Sequence, residues 1–316
     1  FSFSEVNKEK TMIFSKPCQT KALPTILFAL LFTTVLSTPA VSENYLDKAT
    51  VAEAKALIDS SLKSNIGFDI VESLTTEVGP RLAGSEAEAR AREWGVAMFK
   101  KLGFTNVRIE PFEVNFWQRN VETAEIIAPF PQKLVITALG GSVATAAGGV
   151  TGSVVRCATL QDLRDAPLTG LEGKIVFVDE FMTRTQDGSG YGVAVQKRSG
   201  AANEAGKRGA IAALIRSVGT DHHRFPHTGQ MTYADNVNKV PTAALSAPDA
   251  DQLARSVALG DVQLRLTLDV ESPGKRWSGN VIGEIAGETD EIVLMGGHLD
   301  SWDLGTGAVD DGAGIG

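Results

Sequence analysis

Glu291-Ile292-Val293-Leu294-Met295-Gly296-Gly297-His298-Leu299-Asp300 is the stretch from which the fold is read. Ile292 to Met295 is apolar without alternation, the pattern of a strand covered on both faces, and so of an α/β sheet. In open α/β sheets ligands bind beyond the carboxyl ends of the strands. His298 occupies that place, just after two glycines that let backbone and ligand approach closely. Asp300, two residues on, points to the same side as His298 if the backbone stays extended. Its carboxylate is then placed to take the hydrogen bond from the ring nitrogen that does not face a metal.

The chain continues through Ser301-Trp302-Asp303 to Gly307-Ala308-Val309-Asp310-Asp311-Gly312. Neutral imidazole and carboxylate are ordinary ligands for zinc. Asp310 and Asp311 are adjacent and in ordinary backbone point apart, so one is expected as a ligand and the other as a structural residue. An isolated Asp-Asp pair is more often a solvated loop. A His-x-Asp after an apolar strand, with a glycine-bracketed Asp-Asp about ten residues on, outweighs that bland alternative.

With 316 residues and 43% hydrophobic side chains, the chain has room for two ordinary domains with sizeable cores. Residues 1–42 form an upstream and secretory-signal segment. From Met12 it shows Lys16 and Lys21, an apolar run from Ala22 to Leu36, and small residues around Ala40-Val41-Ser42. The run is shorter than the ~20 residues a spanning helix needs, so a secreted or periplasmic protein with no membrane segment after cleavage is expected. The whole chain carries a net charge of −8. An acidic protein of this kind is poorly suited to nucleic acid or anionic membranes. Cys18 lies in the signal and Cys157 is then alone, which excludes an internal disulfide in the mature chain.

Helical patterns are expected at Thr50 to Leu62, Asn65 to Glu77, and from Ser85 to about Leu102. Ser85 is the N-cap of the third, Glu88 its capping-box partner, and Gly103 its C′ residue. Gly79 to Ser85 is a turn and Thr105 to Val114 a strand. Residues 116–274 change character, with short β-rich runs between glycine-rich turns. The clearest elements are strands at Val150 to Val155, Lys174 to Val178, Ala210 to Ile215 and Pro241 to Leu245, and helices at Gln196 to Arg208 and Pro248 to Ala258. This reads as an inserted domain, with Glu271 to Lys275 as its return linker. Strands at Asn280 to Ile285 and Glu291 to Met295 follow. The expected domains are therefore 43–115, the insert 116–274, and 275–316 as the start of a metal-binding core.

Gly297-His298-Leu299-Asp300 together with Gly307-Ala308-Val309-Asp310-Asp311-Gly312 resembles the M28 family of di-zinc exopeptidases. Ser301 to Gly307, Leu214 to Val218 and Pro226 to Gly229 resemble its carboxypeptidase Q branch, and Gly79 to Ser85 resembles a turn the family carries near its start. Gly173 to Val178, Ala205 to Ala210 and Val240 to Thr242 are similar to a protease-associated domain. The resemblance covers residues 45–316. It implies a zinc-exopeptidase, phosphorylase/hydrolase-like α/β fold: a three-layer mixed sheet, incomplete in these residues, split by a β-rich protease-associated insert.

The resemblance further implies two zinc ions, with His298 as a ligand, Asp310 bridging, Asp311 following through a cis peptide, and Asp300 orienting His298. A Glu-Glu pair containing the general base, a further acidic ligand and a second histidine are expected beyond Gly316, so the 316-residue piece is expected to be inactive alone. The expected activity is hydrolysis of short peptides or dipeptides, tilted toward carboxypeptidase or dipeptidase, in a protein compatible with a homodimer. An aminopeptidase, a non-catalytic receptor-like scaffold and a glutaminyl-cyclising relative are the competing readings. Trp302 and Asp303 are candidate pocket residues, with packing an equal alternative for Trp302. His227 is a candidate lid residue, against the plainer reading of an exposed loop histidine. Arg81 is read as a structural turn residue.

Overall fold

The computed structural model describes residues 46–316. The signal segment and Cys18 lie outside the described residues. Among those described, no helix is long and apolar enough to cross a membrane. Helix α1 (Lys48–Ser61) buries none of its residues. Helix α2 (Ile66–Ser73) passes into a π turn at Leu74–Val78, where the expected second helix runs on. Helix α3 (Glu86–Lys101) starts where its cap was expected, with Ser85 Oγ accepting from the Glu88 amide at 3.1 Å. The Glu88 carboxylate does not close the box on Ser85. It is buried and takes Arg92 at 3.0 Å and the Ser278 hydroxyl at 3.2 Å. Gly103, with φ of 87°, ends the helix in the left-handed conformation that only glycine adopts without cost.

Strand β1 (Thr105–Ala128) is far longer than expected, and it pairs antiparallel along its length with β8 (Gln263–Glu284). Strands β2 (Gln132–Leu134), β3 (Ile136–Ala138) and β4 (Val150–Cys157) follow, then α4 (Leu160–Asp165) and β5 (Ile175–Val178). Next come α5 (Ser189–Ala194), α6 (Lys197–Lys207), β6 (Ala212–Arg216), β7 (Thr242–Leu245) and α7 (Ala247–Leu259). One eight-stranded sheet has the order β2-β1-β8-β4-β5-β6-β7-β3. Strands β4 to β7 run parallel, and antiparallel strands flank them on both sides.

Both faces of the parallel strands are covered. On β5, Ile175 and Phe177 enter a core with Leu214, Leu245, Leu264 and Leu253 of α7. Val176 and Val178 enter a second core with Ile215, Leu163 of α4 and Ala201, Ala202 and Ala205 of α6. The period of two divides one apolar run between two cores. Burying each such side chain stabilises by roughly 1.5–3 kcal/mol. The mixed sheet between helical layers is thus present, with its cores drawn from residues 124 to 270.

Two expectations are corrected. Glu271 to Lys275 is not a linker: it lies inside β8, with Glu271 opposite Gln118 and Lys275 opposite Asn115. The long partner strand β1 carries the ladder through, and a register break between Phe116 and Gln118 accommodates Pro273, which has no N–H to give. Ile292 to Met295 is not a strand. It has no ladder partner among the described residues, and its side chains are 86–90% exposed. A strand is stabilised by its neighbours' hydrogen bonds and side chains, and nothing described here lies alongside this one.

Candidate metal centre

The turn Gly79 to Ser85 and the loop after His298 are locked together by Arg81, whose side chain is fully buried. Its Nε donates to the Leu299 carbonyl, Nη1 to the carbonyls of Gly79 and Thr306, and Nη2 to that of Gly307. Its backbone pairs with Ser301, which donates its N–H to the Arg81 carbonyl at 3.1 Å and accepts through Oγ at 3.2 Å. Burial pushes the guanidinium pKa down, and the nearby Asp300 charge opposes that shift. The planar fork of donors suits this task, since main-chain carbonyls in an irregular loop need partners when buried. Arg81 is therefore structural. A Cβ at Gly307, where φ is 61°, would press on Ser301 and on the Arg81 guanidinium.

On that support His298 makes three contacts. Its main-chain N–H donates to Asp311 Oδ2 at 3.1 Å, Nδ1 meets the Asp300 carbonyl oxygen at 2.9 Å, and Nε2 meets Asp310 Oδ1 at 2.8 Å. A carbonyl oxygen only accepts, so Nδ1 carries the proton and Nε2 is the nitrogen available to a metal. Burial works against charge on the ring, but the Asp300 carbonyl and the Asp310 carboxylate outweigh it and raise the His298 pKa. The Asp300 carboxylate stands farther off, 3.4 Å from Nδ1. Asp300 thus meets His298 chiefly through its backbone, and residues 296–302 belong to no strand.

Asp310 and Asp311 diverge, Asp310 toward the imidazole and Asp311 toward the His298 main chain. The peptide between them is cis. Gly297 and Gly314 leave room for the Asp311 carboxylate, which a Cβ at either position would strike. A nitrogen and a carboxylate oxygen facing one another on a half-exposed surface form a donor pair suited to zinc. No group of three or more such donors is assembled among the described residues.

Beside this pair lies a cavity of about 300 Å³. It is lined by Leu82 and Ala83 of the turn, by His298, Asp300, Ser301, Trp302 and Asp310, and by Asn115, Trp117 and Gln230. Trp302 is therefore a wall residue. Asp303 is turned away toward Arg119 Nε, at 2.8 Å, and its Oδ1 is buried without a partner. The His227 ring pairs with Asp221 at 2.9 Å, and the residue of that segment that reaches the cavity is Gln230.

Sequence reasoning missed Arg119, Trp117, Asn115 and Gln230. Arg119 also donates to Thr137, to the Ala138 carbonyl at 2.8 Å and to Thr228 Oγ1 at 3.0 Å, and it lies over the rings of Trp117 and Trp302. The Gly140-Gly141 pair was the sequence feature available for this region and was not read: a Cβ on Gly140 would collide with the Trp302 ring.

Comparison with known proteins agrees with this geometry. Residues 280–316 match the model of peptidase family M28. The chain is 37% identical over 268 residues to carboxypeptidase Q of Bos taurus, covering 83% of this chain and 55% of that protein. The crystal structure of a peptidase M28 precursor from Shewanella amazonensis SB2B superposes with a TM-score of 0.80 at 49% identity, over 83% of this chain and 60% of that one. A zinc aminopeptidase from Bacillus subtilis shares the fold, with a TM-score of 0.55 at 21% identity, over 78% of this chain and 54% of that one. The chain thus spans about half the length of the curated relatives it matches. The matched segment contains His298, Asp300, Asp310 and Asp311, and on these similarities the chain belongs to peptidase family M28.

Proposed function

We propose that the protein carrying this chain is an exported, zinc-dependent exopeptidase that hydrolyses short peptides, dipeptides among them. The observation that carries this is the His298 Nε2 to Asp310 Oδ1 approach of 2.8 Å beside a cavity of peptide size. His298 and Asp310 would hold zinc, and Asp311 fixes the main chain under the imidazole. Zinc there would polarise a peptide carbonyl and make water a competent nucleophile near neutral pH. The Asp300 carbonyl holds the proton on Nδ1 and so keeps Nε2 aimed at the metal. Two ions per site is the count we favour.

We further propose that residues 116–274 are a protease-associated insert between 43–115 and 275–316. Both buried cores draw on residues inside that range, which supports the division. The acidic composition supports a peptide substrate over nucleic acid.

Metal analysis and dipeptide hydrolysis by the whole protein, with and without His298→Ala, test the proposal. The wild type should hold zinc and cleave, and the variant should lose both. Full zinc content and activity in His298→Ala would refute the site.

A further inference from the structure

Arg119 does not line the cavity, yet the groups it holds stand beside the residues that do. Its Nε donates to Asp303 Oδ2 at 2.8 Å, next to Trp302. Nη2 donates to Thr228 Oγ1 at 3.0 Å, two residues before Gln230. Nη1 donates to Thr137 and, at 2.8 Å, to the Ala138 carbonyl, two residues before Gly140. Arg119 itself follows Trp117 by two, and its guanidinium carbon lies 5.1 Å from that ring's centre and 5.9 Å from the centre of the Trp302 ring. Trp117, Gln230 and Trp302 are all cavity residues, so one buried guanidinium ties three of them together through their neighbours.

Trp302 is fixed at two points. The far end of its ring sits in a notch over Gly140, where a Cβ would strike it. Its main chain is tethered through the adjoining Asp303 carboxylate to Arg119. Both anchors lead to residues 137–140. Stability is a poor account of the ion pair. Only Oδ2 of Asp303 takes the guanidinium, where a bidentate pair would use both oxygens, and Oδ1 is buried without a partner. Taking two charges out of water costs about as much as their attraction returns, and an apolar pair of similar volume commonly does as well. What the arginine adds is direction, a planar fork of donors in fixed geometry.

We propose that Arg119 is a positioning residue for peptide hydrolysis: through Asp303 and Thr228 it holds Trp302 in place, and so sets the size of substrate side chain the cavity admits. This deepens the peptidase reading and rests on it. Arg119 acts only through the wall it holds and touches neither substrate nor metal.

The test is steady-state kinetics of the whole zinc-loaded protein on Ala-Ala and on Phe-Ala. The quantity read is the ratio of the two kcat/KM values, with zinc content and Tm measured alongside. Arg119→Met combined with Asp303→Ala removes both charges, so neither is left buried alone. Tm and zinc content should stay close to wild type. The ratio should shift about tenfold, the scale on which an apolar pocket discriminates by size, and KM should carry more of the change than kcat. Asp303→Asn removes the charge and keeps an acceptor for Nε, so it should lower Tm and hold the wild-type ratio. Should the double variant not fold, Thr228→Val takes one acceptor from the fork at nearly constant shape, and the ratio should shift there too. A wild-type ratio in the variant that folds, or losses that simply follow Tm, would overturn the inference and leave the peptidase reading standing. If wild type cleaves neither peptide, the peptidase reading fails and this inference falls with it.

Discussion

Arg81 donates from Nε to the carbonyl oxygen of Leu299, across 218 positions of sequence, and its other donors hold Thr306 and Gly307 in the same loop. The fork spans both ends of the segment between His298 and Asp310. Arg81→Lys keeps the charge but offers a single point of donation, leaving buried carbonyls without partners at ~1–3 kcal/mol each. We expect at least ~3 kcal/mol of destabilisation by chemical denaturation and reduced zinc affinity by calorimetry. Stability and affinity equal to wild type would show that the loop holds its shape without the fork.

Gly140 and Trp302 form a second link between segments far apart in the chain. Gly140→Ala should destabilise by ~1–3 kcal/mol, the usual cost of overpacking, because the new Cβ meets the indole. Trp302→Leu in the same protein should recover part of that loss, giving a non-zero coupling energy in a double-mutant cycle. Simple additivity would mean that the ring does not seat there in solution.

The imidazole of His298 is held above its ordinary pKa range, burial being outweighed by the Asp300 carbonyl and the Asp310 carboxylate. A raised histidine pKa stabilises the fold below the ordinary value of ~6.5, and the gain is lost as pH climbs through the folded pKa. Zinc needs the unprotonated nitrogen, so its binding should release protons and weaken as pH falls through that range. In metal-free protein, Asp310→Asn should move the His298 titration downward by NMR. No movement would separate the two side chains.

Lys197 is 1% exposed, and burial pushes its pKa down to about 8. Between that value and the unfolded ~10.4 the unfolded chain holds the extra proton, so stability rises with pH across this window. Below it both states are protonated and the full cost of the buried charge remains. The advantage of wild type over Lys197→Met should therefore grow by up to roughly 3 kcal/mol from pH 7 to pH 10.5, at ~1.4 kcal/mol per unit. Denaturation curves at both pH values decide it, and a constant difference would show a charged lysine throughout.

Ile292 to Met295 is apolar and almost fully exposed. Bare, strand-prone segments of this kind pair between chains. The 316-residue chain prepared alone should self-associate in light scattering, and Val293→Lys should reduce this. Equal association in the variant would locate the contact elsewhere.

Much of the fold was legible because it is local chemistry. Ser85 and Gly103 bracket α3 through capping that needs only neighbouring residues. The strand and helix pairs β5, α6 and β7, α7 carry their own periodicity. The length of β1 and β8 was not legible, because each is sustained by the other across the sheet and not by its own propensity. Ile292 to Met295 shows the same dependence in reverse: a strand pattern without a partner stays coil.

By itself the sequence determined which groups are available: one histidine followed by carboxylates at set spacing, embedded in a family-specific string. Residue type and spacing are properties of the chain, and so is the donor chemistry they imply. Tertiary structure alone decided what surrounds them: Arg81 under the loop, the Asp300 carbonyl on Nδ1, and Gln230 with Trp302 around the Gly140 notch. Those contacts join positions far apart in the chain, where closure entropy is repaid by cooperative packing of the whole sheet, and no local pattern encodes them.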